Sequence, residues 1–140
     1  MPSDTLVVNA GPLASLRADG ESDVAEEFTV KQTKDHGDGT YDVELTYDYI
    51  SRFGKLPKQT VKTFERIRAI HFDGGAGNDK FMVDGDVDVP MTLIGGAGVD
   101  ELTGGNAADT IIGGAGNDIL IGGDGKDIYA FADGWGTDTI

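Results

Sequence analysis

The stretch Ile111–Ala130, IIGGAGNDILIGGDGKDIYA, holds two similar nine-residue units, GGAGNDILI and GGDGKDIYA. Each crowds three glycines ahead of an aspartate and then turns apolar. In regular structure a glycine costs roughly 0.5–1 kcal/mol relative to alanine, because it loses the most backbone freedom on folding. So dense a glycine load needs a geometric reason, and the rest of the chain supplies one.

Working outward, the units continue. From Gly95 the chain reads GGAGVDELT, GGNAADTII, GGAGNDILI and GGDGKDIYA in unbroken tandem, and an earlier copy, GGAGNDKFM, begins at Gly74. Asp100, Asp109, Asp118 and Asp127 are spaced by nine, and Asp79 precedes the series by twenty-one. A large apolar residue recurs two places after each aspartate: Phe81, Leu102, Ile111, Leu120 and Tyr129. A degenerate ending, GWGTDTI, keeps Asp138 and Ile140. A flexible glycine linker fixes no such offsets.

The pattern, GGxGxDxUx with U a large apolar residue, resembles the calcium-binding nonapeptide repeat of RTX proteins over roughly residues 73–140. The resemblance implies an all-β fold, a right-handed parallel β-roll or β-helix solenoid, in which two nonapeptides make one coil. Turn n then stacks on turn n+2. Asp100 pairs with Asp118, Asp109 with Asp127, and Asp79 with Asp100 across a three-residue insertion within Val83–Ile94. The chemistry suits the residues. Ca²⁺ is a hard cation that takes roughly six to eight oxygens from carboxylates and carbonyls. Glycine reaches the positive-φ turns that aim carbonyls inward. One turn cannot supply all the oxygens; two stacked turns can.

By this resemblance the metal-ligating turns are five. They comprise Gly74, Gly75, Ala76, Gly77 and Asp79; Gly95, Gly96, Ala97, Gly98 and Asp100; and Gly104, Gly105, Asn106 and Asp109. The last two are Gly113, Gly114, Ala115, Gly116 and Asp118, and then Gly122, Gly123, Asp124, Gly125 and Asp127. GGNAAD carries Ala107 where the fourth position wants glycine, which points to weaker binding there. Asp138 follows Asp127 by eleven and is a doubtful ligand. The acidic run Asp84, Asp86, Asp88 lacks the glycine pattern and reads as a solvated loop. It is no EF-hand either, since Val89 stands where that loop needs glycine.

Charge follows the same division. Of the chain's formal charge of −14, residues 1–72 carry −3 and residues 73–140 carry −11, together with 17 of the 22 glycines. About four calcium ions would bring the second part from −11 to about −3. Such an acidic chain excludes nucleic acid as a partner, because phosphate binding needs clustered Lys and Arg. There is no cysteine and no apolar run long enough to span a membrane. GGDGKD fails as a phosphate loop, since Asp127 replaces the Ser or Thr. His36 and His71 are isolated and read as turn or strand packing. No nucleophile, base and orienting acid can be grouped, so no catalysis is expected.

Residues 1–72 show no nonapeptide but do show strands: Thr5–Ala10, Glu27–Thr33, Thr40–Ile50 and Phe64–Phe72. The third alternates Tyr41, Val43, Leu45, Tyr47 and Tyr49 with polar residues, a period of two. KDHGDG before it reads as a hairpin loop, and SRFGKLPKQ, residues 51–59, as a longer loop. The expected division is a β-rich segment 1–72, irregular coils or a small β-domain, leading a β-roll 73–140. Trp135, Tyr129 and Phe131 are expected to cover the last coil's open end. Outward residues Lys80, Glu101, Thr110, Ile119 and Ile128 form no ladder of the kind that binds ice or carbohydrate.

The resemblance implies an extracellular or cell-surface bacterial protein exported by a type I system, which fits the lack of an N-terminal leader. The last unit, DTI, ends without a capping segment, which points to a larger parent polypeptide. The alternative is an accessory or secretion module of an RTX enzyme, such as a protease, lipase or epimerase, or of an adhesin.

Overall fold

A computed structural model describes residues 4–9, 26–49, 60–131 and 136–140. Among them every regular element is a strand and none is a helix. The strands are β1 (Thr5–Asn9), β2 (Glu26–Asp35), β3 (Tyr41–Tyr49), β4 (Thr60–Ile67), β5 (Ala69–Ala76) and β6 (Lys80–Val83). They continue as β7 (Met91–Ala97), β8 (Glu101–Thr103), β9 (Thr110–Ala115), β10 (Ile119–Ile121) and β11 (Ile128–Tyr129).

From β5 onward the chain alternates between two sheets. The first sheet runs β1-β5-β7-β9-β11 and is parallel throughout. The second runs β10-β8-β6-β2-β3-β4. It is parallel from β10 to β2 and antiparallel across β2, β3 and β4, so the sheets are mixed rather than wholly parallel. Strands β1 and β2 extend the same two sheets that the glycine-rich part builds.

Register fixes the circuit length. Leu93 pairs with Ile111 and Leu102 with Leu120, eighteen residues on, which is two nonapeptides. One circuit is longer: Ile70 pairs with Met91 and Phe81 with Leu102, twenty-one on. The Asn106 amide donates to the Val87 carbonyl as that of Asp124 does to Gly105, so Val87 already keeps the eighteen-residue step. The three extra residues therefore lie between Phe81 and Val87, an interval that overlaps the N-terminal part of the expected Val83–Ile94.

The core lies between the sheets. Alternation along each strand turns every second side chain inward: β7 buries Met91, Leu93 and Gly95, and β8 buries only its middle residue, Leu102. The recurring apolar residues Phe81, Leu102, Ile111 and Leu120 are each 0% exposed. Phe72 of the first sheet packs between Phe28 and Phe81 of the second, with ring centroids 5.3 and 5.0 Å apart. Residues 36–40 close a hairpin between β2 and β3, as KDHGDG suggested, and His36 Nε2 lies 2.7 Å from Asp42 Oδ1.

Several sequence expectations need correction. Phe64–Phe72 is not one strand. The chain breaks at Arg68, because β4 belongs to the second sheet and β5 to the first. Arg66 takes a left-handed φ of 54° at this corner, its amide donating to Asp42 Oδ1, while Arg68 Nε pairs with Asp4 Oδ2 at 2.7 Å. Val87 and Val89 of the acidic run are fully buried, and Asp88 is held by Gln32 and Asn106, so only Asp84 and Asp86 keep the solvated reading. Phe131 is 52% exposed, whereas Tyr129 is half-buried. The strand ends at Ala10 and Ile50, the loop 51–59 and Trp135 lie outside the described residues.

Inward and outward positions should separate cleanly in stability. Leu102→Ala, in calcium-containing buffer, is expected to cost about 2–5 kcal/mol in urea unfolding, through lost burial and a residual cavity. Ile121→Ala, on the exposed face of β10, should cost under about 1 kcal/mol.

Candidate metal-binding turns

The glycine-rich turns line two edges of the stack. On the first edge, Gly74–Asp79, Gly95–Asp100 and Gly113–Asp118 lead from the first sheet into the second. On the second edge, Gly104–Asp109 and Gly122–Asp127 lead back. The sequence-expected pairs are adjacent. Asp79 N–H donates to Asp100 Oδ1 at 2.7 Å, Asp100 N–H to Asp118 Oδ1 at 2.9 Å, and Asp109 N–H to Asp127 Oδ1 at 3.0 Å.

Two placements differ from the sequence reading. Asp138, doubtful by spacing, accepts from Asp118 N–H at 3.0 Å, and so continues the first edge with a twenty-residue step. On the second edge, Met91 stands where an aspartate would complete the series; its N–H donates to Asp109 Oδ1 at 2.8 Å. Among the described residues four steps thus join aspartate to aspartate, three on the first edge and one on the second.

One carboxylate oxygen is used in each bond, which leaves the other. Asp100 and Asp118 are each 1% exposed, and their Oδ2 atoms are buried without a hydrogen-bond partner. A buried, unpaired carboxylate oxygen is costly, and its presence in two successive turns marks a position for a cation. The neighbouring space has the shape for one. A Cβ placed on Gly95 would lie 2.6 Å from the Gly113 carbonyl oxygen and collide with Asp100 Oδ2. On Gly74 it would lie 2.5 Å from the Gly95 carbonyl oxygen and 2.7 Å from Asp79 Oδ2. The missing side chain leaves a cradle lined by a carboxylate and by a carbonyl of the next circuit. Among the described residues no three His, Cys, Asp or Glu side chains cluster, so a cation here draws on backbone oxygens, as calcium does. The residues fit Ca²⁺.

The second glycine has a different task. Gly96, at φ +109°, lies over Gly75, and a Cβ there would overlap the Gly75 carbonyl. Gly114 repeats this at φ +109° over Gly96. GGNAAD departs from the pattern: neither Gly105 nor Ala107 has positive φ, and Asp109 Oδ2 accepts from Gly105 N–H at 2.8 Å. Its second carboxylate oxygen is already engaged. Asparagine at the fifth turn position was missed in the sequence reading. Asn78 Oδ1 accepts from Val99 N–H at 2.9 Å and Asn117 Oδ1 from Thr137 N–H at 2.7 Å, tying neighbouring circuits. The repeated GND at 77–79 and 116–118 was its signal.

Burial raises the Asp100 carboxyl from 3.8 to about 6, and the charge of Asp118 adds to the rise, against the bond from Asp79 N–H. Burial likewise raises Asp109 and Asp118. Ionising these groups in the folded chain is unfavourable without a counter-charge.

The geometry defines a stacked repeat whose turns bring carboxylates and backbone carbonyls of neighbouring circuits together. Residues 71–90 and 92–129 match the family model of the RTX calcium-binding nonapeptide repeat, in four copies. That segment, under half of the chain, carries the repeat pattern of a calcium-binding family, which supports calcium as its ligand. Comparison with curated proteins and with solved structures yields no match.

A pH dependence follows. A carboxyl whose folded pKa lies above its unfolded value stabilises the fold fully below about 3.8, and that stability is lost as pH rises through about 6. For Asp100 the difference is worth about 3 kcal/mol. In excess chelator, lowering the pH from 7 to 5 should therefore recover part of the β-sheet circular dichroism signal that the repeat half lacks at pH 7. Calcium affinity, measured by titration, should fall over the same range, since protons compete for the same oxygens.

Proposed function

We propose that the glycine-rich half is a right-handed β-roll that folds when calcium fills its turns. We further propose that it serves as a binding and folding module, without catalysis, of a larger secreted or surface protein. The observation that carries this is the pair of buried, unpartnered Oδ2 atoms at Asp100 and Asp118, each lying where a side chain on Gly95 or Gly113 would stand, with the Gly113 carbonyl of the neighbouring circuit bordering the space at Gly95. A metal ion supplies there the positive charge that the chain itself lacks: Lys80 and Lys126 are the two basic residues after position 72. The four aspartate-to-aspartate steps agree with about four ions.

The absence of catalysis rests on where the buried carboxylates sit. Among the described residues they are Asp79, Asp100, Asp109 and Asp118, all in the turns. Extracellular placement draws support from the ion itself. Millimolar external calcium would fold a module that low cytosolic calcium leaves open, and the repeat family is typical of secreted bacterial proteins. The second edge, with Met91 and the self-bonded turn of Asp109, is the weaker of the two.

Calorimetric titration with Ca²⁺ should give about four ions per chain, with the β-sheet circular dichroism signal of the repeat half rising in parallel and Mg²⁺ failing to substitute. Equal β signal in excess chelator, or a stoichiometry below two, would overturn this function.

A further inference from the structure

On the second edge, the first position of each turn uses its amide in a different way. Gly104 N–H donates to the Ile121 carbonyl, 2.7 Å away in the neighbouring circuit. Gly122 occupies the same position eighteen residues on, since Thr103 pairs with Ile121 just before it. Its amide donates instead to the phenol oxygen of Tyr129, at 2.7 Å. Beyond this point the chain leaves the eighteen-residue step: Thr139 bridges to Ile119, twenty residues apart. A side chain of the same nonapeptide therefore does here what a backbone carbonyl of the next circuit does one layer earlier.

Tyr129 is placed to do this by its position in the repeat. It is the large apolar residue two places after Asp127, the position that Phe81, Leu102, Ile111 and Leu120 fill with hydrocarbon alone. Its ring packs against the core, and its oxygen reaches back to the turn that precedes it. At Gly122, where a Cβ is absent, two oxygens converge: Tyr129 Oη, 2.6 Å from the Cβ position, and Asp127 Oδ2, which a Cβ would meet. In the first-edge cradles the carboxylate shares that space with a carbonyl of the next circuit, as at Gly95 with Gly113. At Gly122 the phenol oxygen stands in for it. A phenol is a neutral oxygen donor, chemically closer to a carbonyl than to a second carboxylate.

We propose that Tyr129 is a positioning residue for the cation held between Asp109 and Asp127, its phenol oxygen fixing the turn Gly122–Asp127 from within its own unit. The inference rests on the calcium reading given above. It makes the second-edge site depend on one hydroxyl group, whereas the first-edge sites at Asp79, Asp100 and Asp118 are independent of it.

The test is Tyr129→Phe, which keeps the ring and removes the oxygen, compared with Asp127→Asn and the unaltered chain by calcium calorimetry. Tyr129→Phe should weaken one ion about tenfold or remove it, as Asp127→Asn does, and leave the remaining ions unchanged. Amide hydrogen exchange of the calcium-loaded protein is the second readout. Gly122 N–H should exchange about tenfold faster in Tyr129→Phe, with Gly113 N–H unaltered. Calcium binding identical in stoichiometry and affinity to the unaltered chain, or unchanged exchange at Gly122, would overturn the role of Tyr129 while leaving calcium binding intact. An unaltered chain that binds no calcium would instead defeat the underlying function. Should Tyr129→Phe weaken every ion alike, the residue acts on the fold at large and the positioning role fails.

Discussion

The structure depends on one hydrogen bond made repeatedly: the backbone N–H of a turn aspartate to the Oδ1 of the aspartate one circuit on. This bond sets the register of the stack at its edge. It also removes one oxygen of each carboxylate from further use and orients the other. Because the turns are stacked in register, the acidic groups accumulate along a line: burial raises Asp100 and Asp118, and the charge of the next aspartate, Asp118 for the first and Asp138 for the second, adds to the rise. A fold built on this bond cannot be electrically neutral by itself. The glycines, the missing side chains beside each Oδ2 and the near absence of lysine and arginine in this half follow from that one constraint.

The two edges meet the constraint unequally. The first edge repeats it from Asp79 to Asp138 without a break, its second and fourth glycines all at positive φ in the turns from Gly74, Gly95 and Gly113. The second edge begins with the Asp86–Met91 stretch, where two buried valines take the place of a glycine turn and Met91 supplies an amide but no carboxylate. Its next turn, GGNAAD, satisfies Asp109 Oδ2 with its own Gly105 amide. Departures in composition and in geometry thus coincide along one side of the molecule. The reason is physical: once the fourth position carries a Cβ, the positive-φ turn is strained, and the carboxylate folds back onto its own loop.

The repeat made the second half legible. A fixed offset between aspartate and apolar residue states both which turns are adjacent and which side chains face inward, and Leu102 over Leu120 and Asp100 over Asp118 follow from it directly. Legibility failed where the period failed. The twenty-residue step to Asp138 could not be read from a nine-residue unit, since GWGTD has no fixed length. The break at Arg68 was hidden because FERIRAIHF is apolar enough to run as one strand; only the assignment of β4 and β5 to different sheets makes a corner necessary. In the acidic run, alternation of Asp and Val was visible, but which residue type faced the core depended on β2 packing beside it through Gln32. Tyr129 looked like one more apolar position, and its hydroxyl gained meaning only from the place of Gly122.

Order in the stack is graded along its length, for a reason the side chains make plain. Toward β1 and β2 the space between the sheets is filled by Phe28, Phe72 and Phe81 with Val30, Val43 and Leu45, a cluster large enough to hold strands together by burial alone. Toward β10 and β11 each strand contributes a single inward residue, Leu120 or Tyr129, and the outward neighbours Ile119 and Ile128 are exposed. Ordering nine residues for one buried side chain is unfavourable, because each residue fixed costs about 1 kcal/mol or more of backbone entropy. The deficit grows with distance from the aromatic cluster, and the turns are where the missing attraction enters. Apolar packing therefore serves as the anchor on which the first glycine turn is laid, and under the function proposed above each later turn would lean on its ion instead.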